Sequence, residues 1–357
     1  MADLFENPMG TDGFEFVEYA SKNPAELEKL FSSLGFTEVA KHKTKNVALW
    51  RQGGINFILN KESDGQPKEF TETHGPSANA MAFRIKDVPK ALARAKEQGY
   101  EIVEANNGPM ELTIPALKGI GGLLVYLVDT YGDAGEIYDT DFDFHEGVER
   151  NPEGVGLQLV DHLTHNMHQG NMDKWAGYYE NLFNFREIRY FDIKGKVTGL
   201  TSRAMTSPDG KIRIPLNESS DDQSQIAEYL RDHNGEGIQH IALSTNDIFK
   251  TVETLRASGM EFMDTPDTYY EKIDTRIPNH GHDVARMQKN RILIDGEGID
   301  KDNDEELLLQ IFTNTVIGPL FFEIIQRKGN EGFGEGNFQA LFESIEEDQI
   351  RRGVVSA

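Results

Sequence analysis

His162, His240 and Glu323 stand in the second half of this 357-residue chain, and the equivalent positions of the first half carry no histidine or carboxylate. The two halves repeat one another. Ala78 to Asp87 reads against Ile238 to Asp247, and each stretch runs through a helix-like segment to a glycine, Gly99 or Gly259. That pairing sets His240 opposite Ala80. Phe16 to Ala20 beside Leu159 to Leu163 sets His162 opposite Tyr19, and Gly121 to Val128 beside Gly318 to Ile325 sets Glu323 opposite Tyr126. The three residues lie 78 and 83 positions apart, so no local metal motif joins them. What joins them is their shared place in one repeat copy.

Glu323 sits inside Leu-Phe-Phe-Glu-Ile-Ile, a run apolar on both faces. A lone buried carboxylate costs several kcal/mol, roughly, unless it is paired or bound to metal. No Lys or Arg lies in that strand, and Arg327 is the nearest in sequence. Taken singly, each histidine reads as an exposed or hydrogen-bonded side chain and the glutamate as solvent-facing. Taken together they read as a ligand set. Two His, one carboxylate and no thiolate leave coordination positions open and suit non-haem Fe(II). Zinc more often closes its site with a further His or Cys, or keeps one water. His165 and His168 follow His162 at a spacing of three, and His280 and His282 fall in a polar insertion; all four read as loop or surface residues. His42, His74, His145 and His233 form no constellation.

A formal charge of −24 argues against a nucleic-acid partner, which would need clustered cations. With no Cys there is no disulfide framework, thiolate site or Cys nucleophile. The opening Met-Ala-Asp-Leu-Phe-Glu-Asn-Pro lacks a basic, then apolar, leader pattern, and no apolar run reaches membrane-spanning length. The expectation is a soluble, cytoplasmic protein with no membrane partner.

The elements that must position the ligands follow from periodicity. The chain reads as α+β: two tandem domains, 1–150 and 151–357, divided near the acidic stretch Asp141 to Gly154. Each domain holds two units of strand, helix and further strands, forming an open, barrel-like sheet with a concave side for a metal and a substrate. Gly13 to Tyr19 alternates as a strand, and Pro24 to Leu34 carries Leu27, Leu30 and Phe31 at helical spacing. Further helices are expected over Val88–Gln98, Met172–Leu182 and Ile248–Ser258. The tail 337–351 predicts a helix capped by Asn337, with Phe338, Leu341, Phe342 and Ile345 on one face.

Six ordered motifs then carry a resemblance. Val160-Asp-His162, Ser224-Gln-Ile226, Gly237 to Leu243, Leu308 to Phe312, Phe322 to Arg327 and Gly332 to Phe338 together resemble 4-hydroxyphenylpyruvate dioxygenases, of bacterial type. The likeness spans essentially the whole chain and is strongest from Asp161 to Phe338. It implies the vicinal-oxygen-chelate superfamily, whose βαβββ unit agrees with the repeat. It implies one Fe(II) per chain on His162, His240 and Glu323, and the substrates 4-hydroxyphenylpyruvate and O2. The implied reaction is oxidative decarboxylation, ring hydroxylation and side-chain migration, giving homogentisate and CO2. By the same likeness Phe312, Phe333 and Phe338 wall the ring pocket. Ser202, Asn217, Gln225 and Gln310 hydrogen-bond the substrate, and the tail helix lies over the mouth as a lid hinged at Gly329 to Gly336. A homo-oligomer is implied as well. Gln239 matches a family position, but strand alternation points it away from His240.

The segment between Phe312 and Phe322 is shorter and less polar than in plant members, which affects the pocket rim. The nearest rival is 4-hydroxymandelate synthase, with the same fold, triad and substrate; Phe338, where that family is aliphatic, favours the dioxygenase. Extradiol catechol dioxygenases share the triad but lack the Ser-Gln-Ile and Gly-Phe-Gly-x-Gly-Asn-Phe patterns. A metal-free binding protein of the superfamily would lack the triad in both halves, and the N-terminal half alone fits that description.

Overall fold

The structure, a computed structural model, describes residues 3–103, 111–194, 199–299 and 305–341. In the first half β1 (Thr11–Ala20), β2 (Thr37–His42), β3 (Val47–Gln52), β4 (Ile55–Asn60), β5 (Ser77–Ile85), β6 (Ile102–Val103), β7 (Ala116–Lys118), β8 (Leu124–Val128) and β9 (Phe142–Phe144) form one sheet. Its order is β6-β7-β8-β5-β1-β4-β3-β2-β9. In the second half β10 (Leu157–Asn166), β11 (Arg186–Lys194), β12 (Gly199–Thr206), β13 (Arg213–Glu218), β14 (Gly237–Thr245), β15 (Leu293–Ile299), β16 (Glu305–Phe312) and β17 (Phe321–Lys328) form another. That order is β11-β12-β13-β10-β14-β17-β16-β15. In every unit the first strand pairs parallel with the last: β1 with β4, β5 with β8, β10 with β13, β14 with β17. The two units of a half then meet through antiparallel first strands, β1 with β5 and β10 with β14. This is the expected α+β plan of four βαβββ-like units.

Local chemistry accounts for the helices that anchor the repeat. Asp87 and Asp247 cap Val88–Glu97 and Ile248–Ala257, their carboxylates accepting from the backbone N–H of Lys90 and Lys250. Pro24 opens the first helix, whose Leu27 and Phe31 are buried. Helices Gly65–His74 and Gln225–Asp232 were not expected, because the polar stretches leading into them mask short apolar faces. The expected helix from Met172 passes into a π-helical turn over Tyr178–Leu182. The polar insertion folds into three short helices, Asp267–Tyr270, Ile273–Arg276 and Val284–Asn290. β9 pairs back onto β2, so Phe142 to Phe144, at the start of the acidic stretch between the halves, belong to the first sheet. The tail helix begins at residue 335, so Asn337 lies within it and is not its cap; residues 342–351 of that prediction lie outside the described residues. No described helix is long and apolar enough to cross a membrane.

Two β-bulges correct the repeat alignment. On β10 the register steps between Val160 and His162, leaving Asp161 as an extra residue; on β14 Gln239 is extra, because Thr164 faces His240 and His165 faces Ile238. β1 and β5 step at the same places, with Glu15 and Asn79 extra. His240 therefore corresponds to Ala80 as expected, and Glu323 to Tyr126, since both pair with a matching alanine, Ala242 or Ala82. His162 corresponds to Phe16 and not to Tyr19, because His162 faces Ala242 as Phe16 faces Ala82. In the first half the rings of Phe16 and Tyr126, 5.6 Å apart, stand at two of the ligand positions. Aromatic rings replace an imidazole and a carboxylate there.

One core runs through both halves. Phe57 stacks on Phe36 at 4.2 Å, meets Tyr19 edge-on at 4.9 Å, and lies 5.9 Å from Phe322 of β17. Several histidines are drawn into the interior, against expectation. His165, on the face of β10 opposite the ligands, is fully buried with Nε2 against the Tyr179 hydroxyl at 2.7 Å. His280 is buried against Asp274, and His74 stacks on His233 at 4.5 Å, both buried. His168 is exposed as expected. Burial pushes His165 and His233 down to about 3 from 6.5. Both are neutral when folded, while the unfolded chain takes up protons below 6.5. Stability from this source is complete above pH 6.5 and is lost as pH falls toward 3, by on the order of a few kcal/mol per histidine. Urea unfolding of EDTA-treated protein at pH 7 and pH 5 should show the fall, and His165→Gln with His233→Gln should flatten it. An unchanged acid slope in that double variant would refute this source.

Candidate metal centre

β10, β14 and β17 are adjacent, and their register brings His162, His240 and Glu323 together. One ligand-type atom from each lies within 4.8 Å of the others. Glu323 Oε2 is 3.3 Å from His162 Nε2 and 3.5 Å from His240 Nε2. Both imidazoles thus present Nε2 to the carboxylate, and their Nδ1 atoms face acceptors behind. His162 Nδ1 is 2.8 Å from Asp161 Oδ1, and His240 Nδ1 is 2.9 Å from Gln239 Oε1. An acceptor at Nδ1 places the proton there and leaves the Nε2 lone pair free for a metal. Each acceptor is the extra residue of a bulge. Ordinary alternation would turn Asp161 and Gln239 to the opposite face; the bulge lets each reach its neighbour's ring. The expectation that Gln239 points away from His240 fails for this reason.

Charge is arranged around the same atoms. Burial alone would raise Glu323, but the two imidazoles outweigh it and hold the carboxyl at about 2. Burial likewise works against His162, yet Glu323 and Asp161 together push it upward. His240 has one carboxylate and an amide instead of two carboxylates, and there burial wins and lowers it. Asp161 is held far below the usual carboxylate range despite its burial, because Arg327 grips it through Nε and Nη2, both at 2.8 Å. Arg327 therefore pairs with Asp161, not with Glu323. Thr164 Oγ1 lies 2.9 Å from His240 Nε2 and donates to the lone pair that a metal would take. Aromatic rings close the flanks. Phe333 meets the His162 ring edge-on at 5.3 Å, and Phe321 stacks on His240 at 5.0 Å.

The expected substrate-contact residues fall on several different elements. Phe312 of β16 is directly opposite Glu323, and Gln310 opposite Ile325. Ser202 and Asn217 face each other across β12 and β13, with Asn217 in register with Asn166 of β10. Gln310 is buried and accepts from Asn337 Nδ2 at 3.2 Å, while Asn337 Oδ1 accepts from the Tyr269 hydroxyl at 2.6 Å. Gly334, at φ +81°, brings its backbone so close to Gln310 that a Cβ would overlap the amide. Gln225 is exposed at the start of its helix, and Phe338 is 42% exposed. Sequence reasoning missed Thr164, Phe321 and the pairing of Asp161 with Arg327. Asp161 was within a quoted motif, but nothing local signals a partner 166 residues away.

Residues 5–143 match the family described as Hydroxyphenylpyruvate dioxygenase, HPPD, N-terminal. Residues 159–273 match the Glyoxalase/Bleomycin resistance protein/Dioxygenase superfamily. A 4-hydroxyphenylpyruvate dioxygenase of Pseudomonas aeruginosa is 59% identical over 352 residues, 98% of this chain and 97% of that protein. The chain belongs to the 4-hydroxyphenylpyruvate dioxygenase family. Another relative in this range is Hemolysin VllY of Vibrio vulnificus, 61% identical over 98% of each chain. Among solved structures, a mutant 4-hydroxymandelate synthase from Streptomyces coelicolor superposes with a TM-score of 0.81 at 25% identity, covering 96% of this chain and all of that one. This chain and the synthase thus share a fold.

Proposed function

We propose that this chain is an Fe(II)-dependent dioxygenase converting 4-hydroxyphenylpyruvate and O2 to homogentisate and CO2. The observation that carries the reading is the His162–His240–Glu323 cluster in a chain so similar to a named dioxygenase along its full length. The donor set fits iron: two imidazoles that turn Nε2 toward the carboxylate, one carboxylate and no thiolate. Iron held there, one per chain, would supply electrons for O2 reduction and open positions for an α-keto acid.

The protein's own residues do the rest. Asp161 and Gln239 hold the two rings in the metal-binding tautomer. Phe312 and Phe333 border the cluster and exclude water from it, and Phe338 completes the ring wall when substrate enters. Ser202, Asn217, Gln225 and Gln310 supply hydrogen bonds to the phenol and keto-acid oxygens, orienting the ring for attack. The N-terminal domain, with Phe16, Ala80 and Tyr126 at the ligand positions, has a structural role. The protein acts as a cytoplasmic homo-oligomer.

Proton NMR of the product formed from 4-hydroxyphenylpyruvate, Fe(II) and ascorbate in air tests this reading. A three-proton ring pattern is expected; a para-substituted ring with a benzylic CH–OH would make the chain a 4-hydroxymandelate synthase. That second reading is favoured only by the shared fold. Phe338→Ile should divert a measurable share of product to hydroxymandelate by the same assay, and an unchanged product ratio would remove Phe338 from the ring wall.

A further inference from the structure

Arg327 makes more contacts than its ion pair with Asp161 requires. Its Nε and Nη2 donate to Asp161 Oδ2 and Oδ1, both at 2.8 Å, and Asp161 Oδ1 in turn accepts from His162 Nδ1 at 2.8 Å. The remaining arm of the guanidinium faces the other way. Nη1 donates to the carbonyls of Asn330 at 3.0 Å and Gly332 at 2.6 Å. The guanidinium carbon also lies 5.6 Å from the Phe333 ring, which itself meets His162 edge-on. The loop therefore touches His162 twice, through the Phe333 ring and through an arginine–aspartate relay. A buried ion pair of this kind adds little to stability compared with apolar packing, so its geometry points to orientation instead. Only a planar fork with several fixed N–H groups can hold a carboxylate on one edge and two carbonyls on another; a lysine cannot.

We propose that Arg327 is a positioning residue that ties the 330–333 wall of the site to the ligand His162 through Asp161. Metal binding and ordering of that wall then stabilise each other. The inference rests on the metal-site reading above. A metal held on His162 Nε2 would make the ring a stronger Nδ1–H donor to Asp161, so Asp161 and Arg327 would hold the relay more firmly. Coupling of this kind is reciprocal: a wall that orders on metal binding must also tighten the metal. The residues after the wall carry suitable reporters, because Gly336 N–H donates to Asp295 at 2.8 Å and Phe338 N–H to the Gly334 carbonyl at 3.1 Å.

Hydrogen exchange over residues 332–338 would be measured anaerobically, with and without Fe(II), in the wild type, Arg327→Lys and Asp161→Asn, beside the Fe(II) dissociation constant. Fe(II) should slow exchange there by about tenfold in the wild type, and both variants should lose most of that slowing. Their Fe(II) affinity should fall by about tenfold or more. Unchanged exchange in β10, β14 and β17 identifies folded variants, and Asp161→Asn breaks the relay from its other end if Arg327→Lys fails this check. Equal metal-dependent slowing in the wild type and a folded variant would overturn the relay. So would iron binding without any slowing in the wild type, and in both cases the triad would stand. A wild-type protein that takes up no iron would overturn the relay and the metal reading together.

Discussion

Glu323→Ala should leave a folded protein that retains no iron and turns over at least about 10³-fold more slowly. That factor corresponds to losing about 4 kcal/mol of transition-state stabilisation, the scale on which a catalytic metal acts. The fold should survive because the carboxylate's pairing with the two imidazoles is largely spent in offsetting its burial cost. The carboxylate is buried in an apolar strand and offset only by two imidazoles, at 3.3 and 3.5 Å. Removing it relieves desolvation as it removes pairing, and neighbouring Phe322 and Ile324 stay packed. Glu323→Gln keeps the volume and serves as the control for cavity formation. Metal content by elemental analysis, turnover and thermal unfolding would be read on the same samples. Stoichiometric iron or unreduced turnover in Glu323→Ala would remove this residue from the ligand set.

Phe57→Ala should destabilise the protein by about 3–5 kcal/mol, as expected for deleting a fully buried aromatic ring. Phe57 is 0% exposed and packs on Phe36, Tyr19, Phe31 and, across the two halves, Phe322. Because Phe322 immediately precedes Glu323, a cavity here also loosens the strand that carries a ligand. Unfolding should remain a single transition at a lower urea midpoint, and metal affinity should fall with it. A loss below about 1 kcal/mol would mean that the shared core is unimportant to stability. Two separated transitions would mean that the halves unfold independently in spite of it.

Much of the site is legible in the residues themselves. Asp87 and Asp247 anchor the repeat because a carboxylate at a helix start has a local job, accepting the N–H three residues on. Local jobs leave local marks, so the alignment of His240 with Ala80 holds. The alignment of His162 with Tyr19 slips by three residues because the first strand of each half carries no such anchor. His165 and His280 were misread for a similar reason. Their burial depends on which side of a strand or loop meets the core, and a polar residue type does not announce that.

Residue identity and chain order by themselves determined that the ligands would be two imidazoles and a carboxylate, that no thiolate could compete, and that only the second half could hold them. They also carried the family. Tertiary structure decided how the ligands are held. Side chains alternate along a strand, so one inserted residue redirects everything beside it, and two such insertions put Asp161 and Gln239 against the ligand rings. Whether a strand bulges depends on pairing with its neighbour, which no single strand's sequence states. Arg327 meets Asp161 from 166 residues away. An ion pair at that distance exists only once the sheet has brought its strands together.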